Sequence, residues 1–218
     1  MKNDLLIRCS SLSKIIGRDP TKLSETAKSH IVEIAKENLF GFRSFEGSKY
    51  TEKGIKLEDE AIQLSAFYRG TFYEKNTERR ENEFITGECD IYDEARNVII
   101  DIKCPWDIST HPFFTDEAEK KSKKAGYDWQ MQGYLWLWNA EFAEIDFWLL
   151  PTPEELLSNW DDQNKFIGAV LDIDEEQRRT TVKVERDEEK IEIIKQAVTT
   201  AREYYNQLIK EWEAKLER

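Results

Sequence analysis

The 218 residues suffice for one domain with a real core, and a formal net charge of -12 excludes a basic coat that grips nucleic acid by charge alone. The three cysteines, Cys9, Cys89 and Cys104, show no Cys-x-x-Cys spacing and fit no zinc or iron–sulfur pattern, and their odd number argues against a disulfide framework. With no leader-like segment, no bilayer-length apolar run, no repeat and no Gly/Ser linker, the expectation is a single domain over residues 1–218 in a reducing cytoplasm, with no membrane partner.

In chain order, residues 10–17 (SSLSKIIG) read as a short helix capped by Ser10 or Ser11 and stopped by Gly17. Arg8 lies just ahead of it. Hydroxyls and free backbone N–H groups at a helix start make Arg8, Ser11 and Ser13 candidates for holding a phosphate, against the plainer reading of an ordinary cap. Residues 21–39 form a second helix with Ile31, Ile34, Ala35 and Leu39 on one face. Residues 41–48 are a loop rich in Gly and Phe. A third helix, Lys49–Phe67, offers Ile55, Leu57, Ala61, Ile62, Leu64 and Ala66, with Glu58 on or beside that stripe. Residues 71–76 (TFYEKN) read as an edge strand.

The chain then reaches the stretch that organises it, GECDIYDEARNVIIDIKCPW over residues 87–106. Two β-branched runs flank turn residues, which predicts a hairpin. A turn centred between Ala95 and Arg96 sets Asp90 across from Asp101 and Glu88 across from Lys103. These four share one face, and Cys89, Ile91, Ile100, Ile102 and Cys104 share the other. Opposed carboxylates repel, and a hard divalent cation between them would reverse that sign. A solvated hairpin is the alternative, but Val98-Ile99-Ile100 is a run of the doubly buried kind, and an acid and a lysine at its end need a reason.

Beyond Pro105, which ends the strand, residues 107–125 read as polar and irregular and include His111. The basic run Lys120, Lys121, Lys123 and Lys124 is a candidate for DNA-backbone contact, or else a solvated surface. Residues 126–139 form an aromatic helix in which Gln130 and Tyr134 share a face and Gln132 does not. Residues 143–150 are a buried strand, a helix follows Pro153, residues 180–184 are a late strand, and residues 187–217 form a long helix with Ile191, Ile194, Val198, Tyr205 and Ile209 inward.

Asp90 followed by Asp101-Ile102-Lys103 at the end of the next strand resembles the PD-(D/E)XK nuclease signature. Gly54-x-x-x-Glu58-x-x-Ala61 resembles the first motif of phage-type exonucleases of the lambda-exonuclease and YqaJ kind, and Gln130-x-x-x-Tyr134 matches their QxxxY motif. The resemblance spans residues 8–215 by motif order. It departs from the pattern in one place, where Cys89 stands for the proline of the family name. It implies an α/β (α+β) restriction-endonuclease-like core, a central mixed sheet flanked by helices on both sides. It also implies that Glu58, Asp90, Asp101 and the Ile102 carbonyl hold one or two Mg²⁺ or Mn²⁺ ions, that Lys103 acts on the attacking water, and that Gln130 and Tyr134 support the site. The cysteines of the iron–sulfur branch are missing, so no cluster is expected. The implied partner is DNA, double-stranded with a free end. A single-strand annealing protein and further copies of the chain are possible companions. An endonuclease on the same core and a non-catalytic binding domain are the other readings.

Overall fold

The structure is a computed structural model that describes residues 5–42 and 47–217. The expected loop at residues 41–48 falls partly outside them. The strands β4 (Ile91–Asp93), β5 (Val98–Lys103), β6 (Phe142–Trp148) and β7 (Arg179–Glu185) form one mixed sheet in the order β4-β5-β6-β7. β5 is antiparallel to β4 and parallel to β6, and β7 is antiparallel to β6. β5 is thus an interior strand, which is why its apolar run does not alternate: Val98, Ile99 and Ile100 are all fully buried.

Both faces of this sheet are covered. On one, Ile91, Val98, Ile100 and Ile102 meet Leu57, Ala61, Ile62 and Ala66 of helix α3 (Lys49–Phe67). On the other, Ile99, Ala143, Ile145 and Phe147 join Met131, Tyr134 and Leu135 of helix α5 (Tyr127–Trp138) and Ile194 and Val198 of helix α7 (Glu188–Leu216). Each such side chain contributes roughly 1.5–3 kcal/mol by leaving water. A smaller sheet, β1 (Ile7–Arg8), β3 (Ile85–Gly87) and β2 (Arg80–Glu81) in the order β1-β3-β2, lies beside α5. No helix among the described residues is long and apolar enough to cross a membrane.

Several elements differ from expectation for identifiable reasons. Residues 71–76 form no strand; they run as an irregular strap, and the edge strand comes later, at β2. Residues 107–125 are not wholly irregular, because Thr115–Ala125 is a helix, α4. Its signal is electrostatic: Asp116 and Glu117 in the first turn and Lys123 and Lys124 in the last complement the helix dipole, while Ala118 and Ser122 are its buried residues. The N-terminal helix α1 spans only Leu12–Ile15, after a single 3₁₀ turn at Cys9–Ser11, and no serine side chain caps it. Helix α2 is Glu25–Phe40, capped by Ser24; Ala27, Ile31 and Ala35 face inward, Ile34 packs at the margin, and Leu39 is exposed. On α3, Ile55 points to solvent and Lys53 is buried instead. After Pro153 there is a 3₁₀ turn at Glu154–Leu156, then a π-helical turn at Asn164–Gly168 running into the short helix α6 (Ala169–Leu171), rather than one helix.

The orientation of α5 is fixed at two points, its start and its middle. Gly126 separates it from α4 with a left-handed φ of 75°, and a Cβ there would lie 2.2 Å from the Ser13 Cβ, so only glycine fits. At the far side Gln132, buried, donates from Nε2 to the Glu185 carbonyl at 2.7 Å and accepts from the Asp187 N–H at 2.9 Å, tying α5 to the start of α7. A glutamine outside the QxxxY face is therefore a structural clamp rather than a silent position. Gln132→Ala should cost about 1–3 kcal/mol by leaving two buried backbone groups unpaired. Melting curves should show a drop of about 2–4 °C per kcal/mol, and an unchanged midpoint would contradict the clamp.

Candidate active site

The β4–β5 ladder pairs Asp93 with Val98, Tyr92 with Ile99 and Ile91 with Ile100, and it stops there. The same register sets Asp90 across from Asp101, as the hairpin reading expects. The last rung is made by a side chain: Asp90 Oδ2 accepts from the Ile102 N–H at 2.6 Å. Because the chain leaves the ladder at Asp90, the residues before it do not follow the alternation. Cys89 packs with Cys9, Ile99 and Tyr134, not with Ile91, Ile100 and Ile102. Glu88 does not face Lys103; it pairs with Arg79 at 3.1 Å near the surface. The strap of residues 73–76 takes up the freed backbone, since the Asn76 N–H donates to the Asp90 carbonyl at 2.8 Å and its Nδ2 to the Cys89 carbonyl at 2.9 Å.

Asp101 is 1% exposed. Lys103, next on the same face, makes an ion pair with its Oδ2. Burial, followed by the charge of Asp101, holds the Asp90 carboxyl well above the usual carboxylate range. Burial likewise raises Asp101, against the opposing pull of Lys103. Glu58 adds further repulsion to both. Burial disfavours the Lys103 ammonium, but the two aspartates overcome it and hold its pKa above that of an ordinary lysine. Lys103 Nζ also sits 4.8 Å from the centre of the Tyr127 ring.

From α5, Gln130 Nε2 donates to Tyr134 Oη at 3.0 Å and reaches Asp101 Oδ1 at a long 3.4 Å. Gln130 rather than Gln132 thus faces the hairpin: the spacing allows only one of the two, and the resemblance implies this one. Tyr127 was missed, although residues 127, 130 and 134 lie on one helical face and the same spacing points to it. From α3, Glu58 comes to the same place, with its Oε2 2.9 Å from Lys75 Nζ. Lys75 was missed too, and nothing local could have found it, because the strap that carries it has no periodic pattern.

Among the described residues, no three His, Cys, Asp or Glu side chains stand ready to ligate an ion as placed. Each acid has a protein partner instead: Lys103 for Asp101, the Ile102 N–H for Asp90, Lys75 for Glu58. The group nonetheless fits a hard divalent cation. Its donors are all oxygen, and the half-buried Asp90 carboxylate faces the fully buried one of Asp101, each raising the cost of the other's charge.

The candidate phosphate contacts divide. Arg8 and Ser11 line one hollow of about 340 Å³ with His30 and Asn38, and Arg8 is paired there with Glu37 at 3.4 Å. Ser13 lies elsewhere, against Gly126. On α4, Lys121 turns inward, donating to the Thr110 carbonyl and lying 6.0 Å from the Phe147 ring, whose residue pairs with Lys103 across β5 and β6. Lys120, Lys123 and Lys124 are exposed. The buried His111, beside Lys121, is pushed down to about 4 by burial and that charge.

The opposed aspartates imply a pH dependence of definite sign. Their folded pKa values lie above the unfolded ones, so above about pH 4 the folded chain binds more protons than the unfolded chain. Their stabilising contribution is present at acid pH and is lost as pH rises. Asp101→Asn should therefore hold or raise the melting temperature of the metal-free protein at pH 8, by about 2–4 °C for each kcal/mol of repulsion removed, with a smaller gain at pH 5. Unfolding of the variant at pH 8 would make Asp101 a structural residue.

No protein-family model and no curated protein sequence matches the chain. Among solved structures, a phage-related exonuclease from Haemophilus somnus 129PT is 56% identical with a TM-score of 0.93, and the match covers 96% of this chain and 97% of that one. An alkaline exonuclease, LHK-Exo from Laribacter hongkongensis, is 14% identical with a TM-score of 0.66, covering 97% of this chain and 93% of that one, and its complex with dAMP gives 0.65. The second likeness speaks for the fold alone. The first, at that identity over nearly the full length of both chains, means that this chain belongs to the phage-related exonucleases of the PD-(D/E)XK type.

Proposed function

We propose that the chain is a divalent-metal-dependent exonuclease that hydrolyses phosphodiester bonds of linear duplex DNA, in phage-type recombination or repair. The observation that carries this reading is the half-buried Asp90 opposed to the fully buried Asp101 near the end of β5, with Lys103 beside them. Glu58, Asp90 and Asp101, with the Ile102 carbonyl, are the residues that would hold one or two Mg²⁺ or Mn²⁺ ions. When bound, such an ion supplies Lewis-acid polarisation of the scissile phosphate and a more acidic water.

The chain's own residues do the rest. Lys103, beside both aspartates, would orient or deprotonate the attacking water and offset charge developing on the phosphate. The Tyr127 ring confines its position. Gln130 links Asp101 to the Tyr134 hydroxyl and keeps the carboxylate aimed. Arg8 and Ser11 in their hollow, and the exposed Lys120, Lys123 and Lys124 of α4, are the basic and hydroxyl groups that would receive DNA phosphates in an otherwise acidic protein.

Cleavage should require Mg²⁺ or Mn²⁺ and vanish with EDTA. Linear duplex should be degraded while covalently closed circles are spared. Full activity in metal-free buffer would sink the mechanism, and nicking of circles at a comparable rate would favour an endonuclease.

Asp90→Asn, Asp101→Asn and Lys103→Ala should each abolish turnover in folded protein. Gln130→Ala should lower it about 10–100-fold, as the loss of a ligand-orienting contact does, with Tyr134→Phe intermediate. Steady-state rates of these variants beside Gln132→Ala, each with a melting curve, separate chemistry from folding. Loss of turnover in Gln132→Ala at temperatures where it stays folded would mean that the wrong face of α5 has been assigned.

A further inference from the structure

Lys75 sits in the candidate site with no role in the mechanism above. It reaches there on a segment without regular secondary structure, yet that segment is pinned on three sides. Tyr73 donates from its hydroxyl to Asp93 at 2.9 Å, Gln63 donates to the Tyr73 carbonyl at 3.4 Å, and Asn76 makes its two bonds to the Asp90 and Cys89 carbonyls. The pinned strap presents Lys75 Nζ to Glu58 Oε2 at 2.9 Å, with Asp59 and Asp90 also near enough to favour its charge. Holding an extended segment by four hydrogen bonds costs backbone entropy at each residue. What that expense delivers at this place is a single lysine against a single carboxylate.

We propose that Lys75 is an exchangeable counter-charge: it occupies Glu58 until a divalent cation takes that carboxylate, and the released ammonium then contacts a phosphate of the bound DNA strand. The inference rests on the reading of Glu58 as a metal ligand. Its physical basis is charge balance. Fully ionised, Glu58, Asp90 and Asp101 would bring three negative charges to one place, of which Lys103 offsets one. Without a cation, Lys75 offsets a second. With a dication bound, the ion and Lys103 already balance the three acids, and the ion takes the Glu58 oxygen, so Lys75 loses the net negative charge that held it there. Its side chain is 44% exposed, so the long stem is free to turn toward solvent, where the mobile anion brought to this site is the DNA backbone. The same exchange would keep the acids from splaying apart in the metal-free protein, and it would couple metal loading to substrate binding.

The test is calorimetric titration of Mn²⁺ into wild type, Lys75→Met and Lys75→Arg without DNA, followed by steady-state kinetics on linear duplex at saturating Mg²⁺. Removing one half-exposed competitor should tighten Mn²⁺ binding by up to about fivefold in Lys75→Met, while Lys75→Arg, which keeps the charge, should bind as wild type does. In the same Lys75→Met protein, KM for DNA should rise several-fold with kcat nearly unchanged, and the dependence of log affinity for DNA on log salt should flatten by about one. Equal or weaker Mn²⁺ binding by Lys75→Met overturns the exchange, as does an unchanged KM and salt slope. Absence of Mn²⁺ binding in wild type overturns the metal reading of the three acids, and this proposal with it.

Discussion

The arrangement of the whole molecule depends on one unfavourable contact, the confrontation of Asp90 with Asp101 at the end of a buried strand. In water two such carboxylates would repel by only about 1 kcal/mol, but in a drier setting the same separation costs several times more. The confrontation persists because the fold over-determines it. β5 is held between β4 and β6 and covered on both faces, so Asp101 has nowhere to turn, and Asp90 is fastened to the Ile102 N–H in place of a ladder bond. Lys103 answers part of the charge. The remainder is what gives the site its appetite for a cation.

A second buried acid shows what a purely structural carboxylate looks like in this protein. Asp146 lies on β6 beside the end of β5, is fully buried, and takes hydrogen bonds from Arg69, Ser65 and Thr181. Burial tends to raise its pKa, but Arg69 and these hydroxyls overcome it and hold the group below the usual carboxylate range. Every oxygen of Asp146 is satisfied, and the network ties α3 to β6 and β7. Asp101 has the same burial and the opposite shift. Among buried carboxylates, one whose charged form is stabilised by its partners marks a structural role, and one whose charge is left disfavoured invites a functional one.

Lys53 is a related device on the other side of the site. It is fully buried, and its ammonium donates to the carbonyls of Pro105 at 2.8 Å, Trp106 at 2.9 Å and Leu150 at 2.7 Å. Burial pushes its pKa down to about 8, while three carbonyl acceptors match the three donors of the charged form. One turn of α3 ahead of Glu58, it fixes the exit of the strand that carries Lys103 and the end of β6 to the helix that carries Glu58. The geometry of the acids therefore rests on a lysine that has no part in the chemistry.

What the sequence determined by itself was the local pattern: the hairpin register, the doubly buried β5, the placing of Gln130 and Tyr134 on one face of α5, and the family to which these motifs belong. The first three are set by periodicity within a few residues, which packing then respects; the family was legible only as a resemblance carried by those motifs. Tertiary structure alone decided the rest. Cys89 and Glu88 left the expected alternation because the chain departs the ladder at Asp90, and a two-residue period holds only while a strand is paired. Ile55 is exposed and Lys53 buried because carbonyls from two distant segments converge on α3, which no helical stripe can announce. Gln132 became a clamp because the start of α7 arrives beside it, and Lys75 reached Glu58 on a strap with no regular period. Contacts between elements far apart in the chain are set by how those elements pack, and that information lies in no single stretch of it.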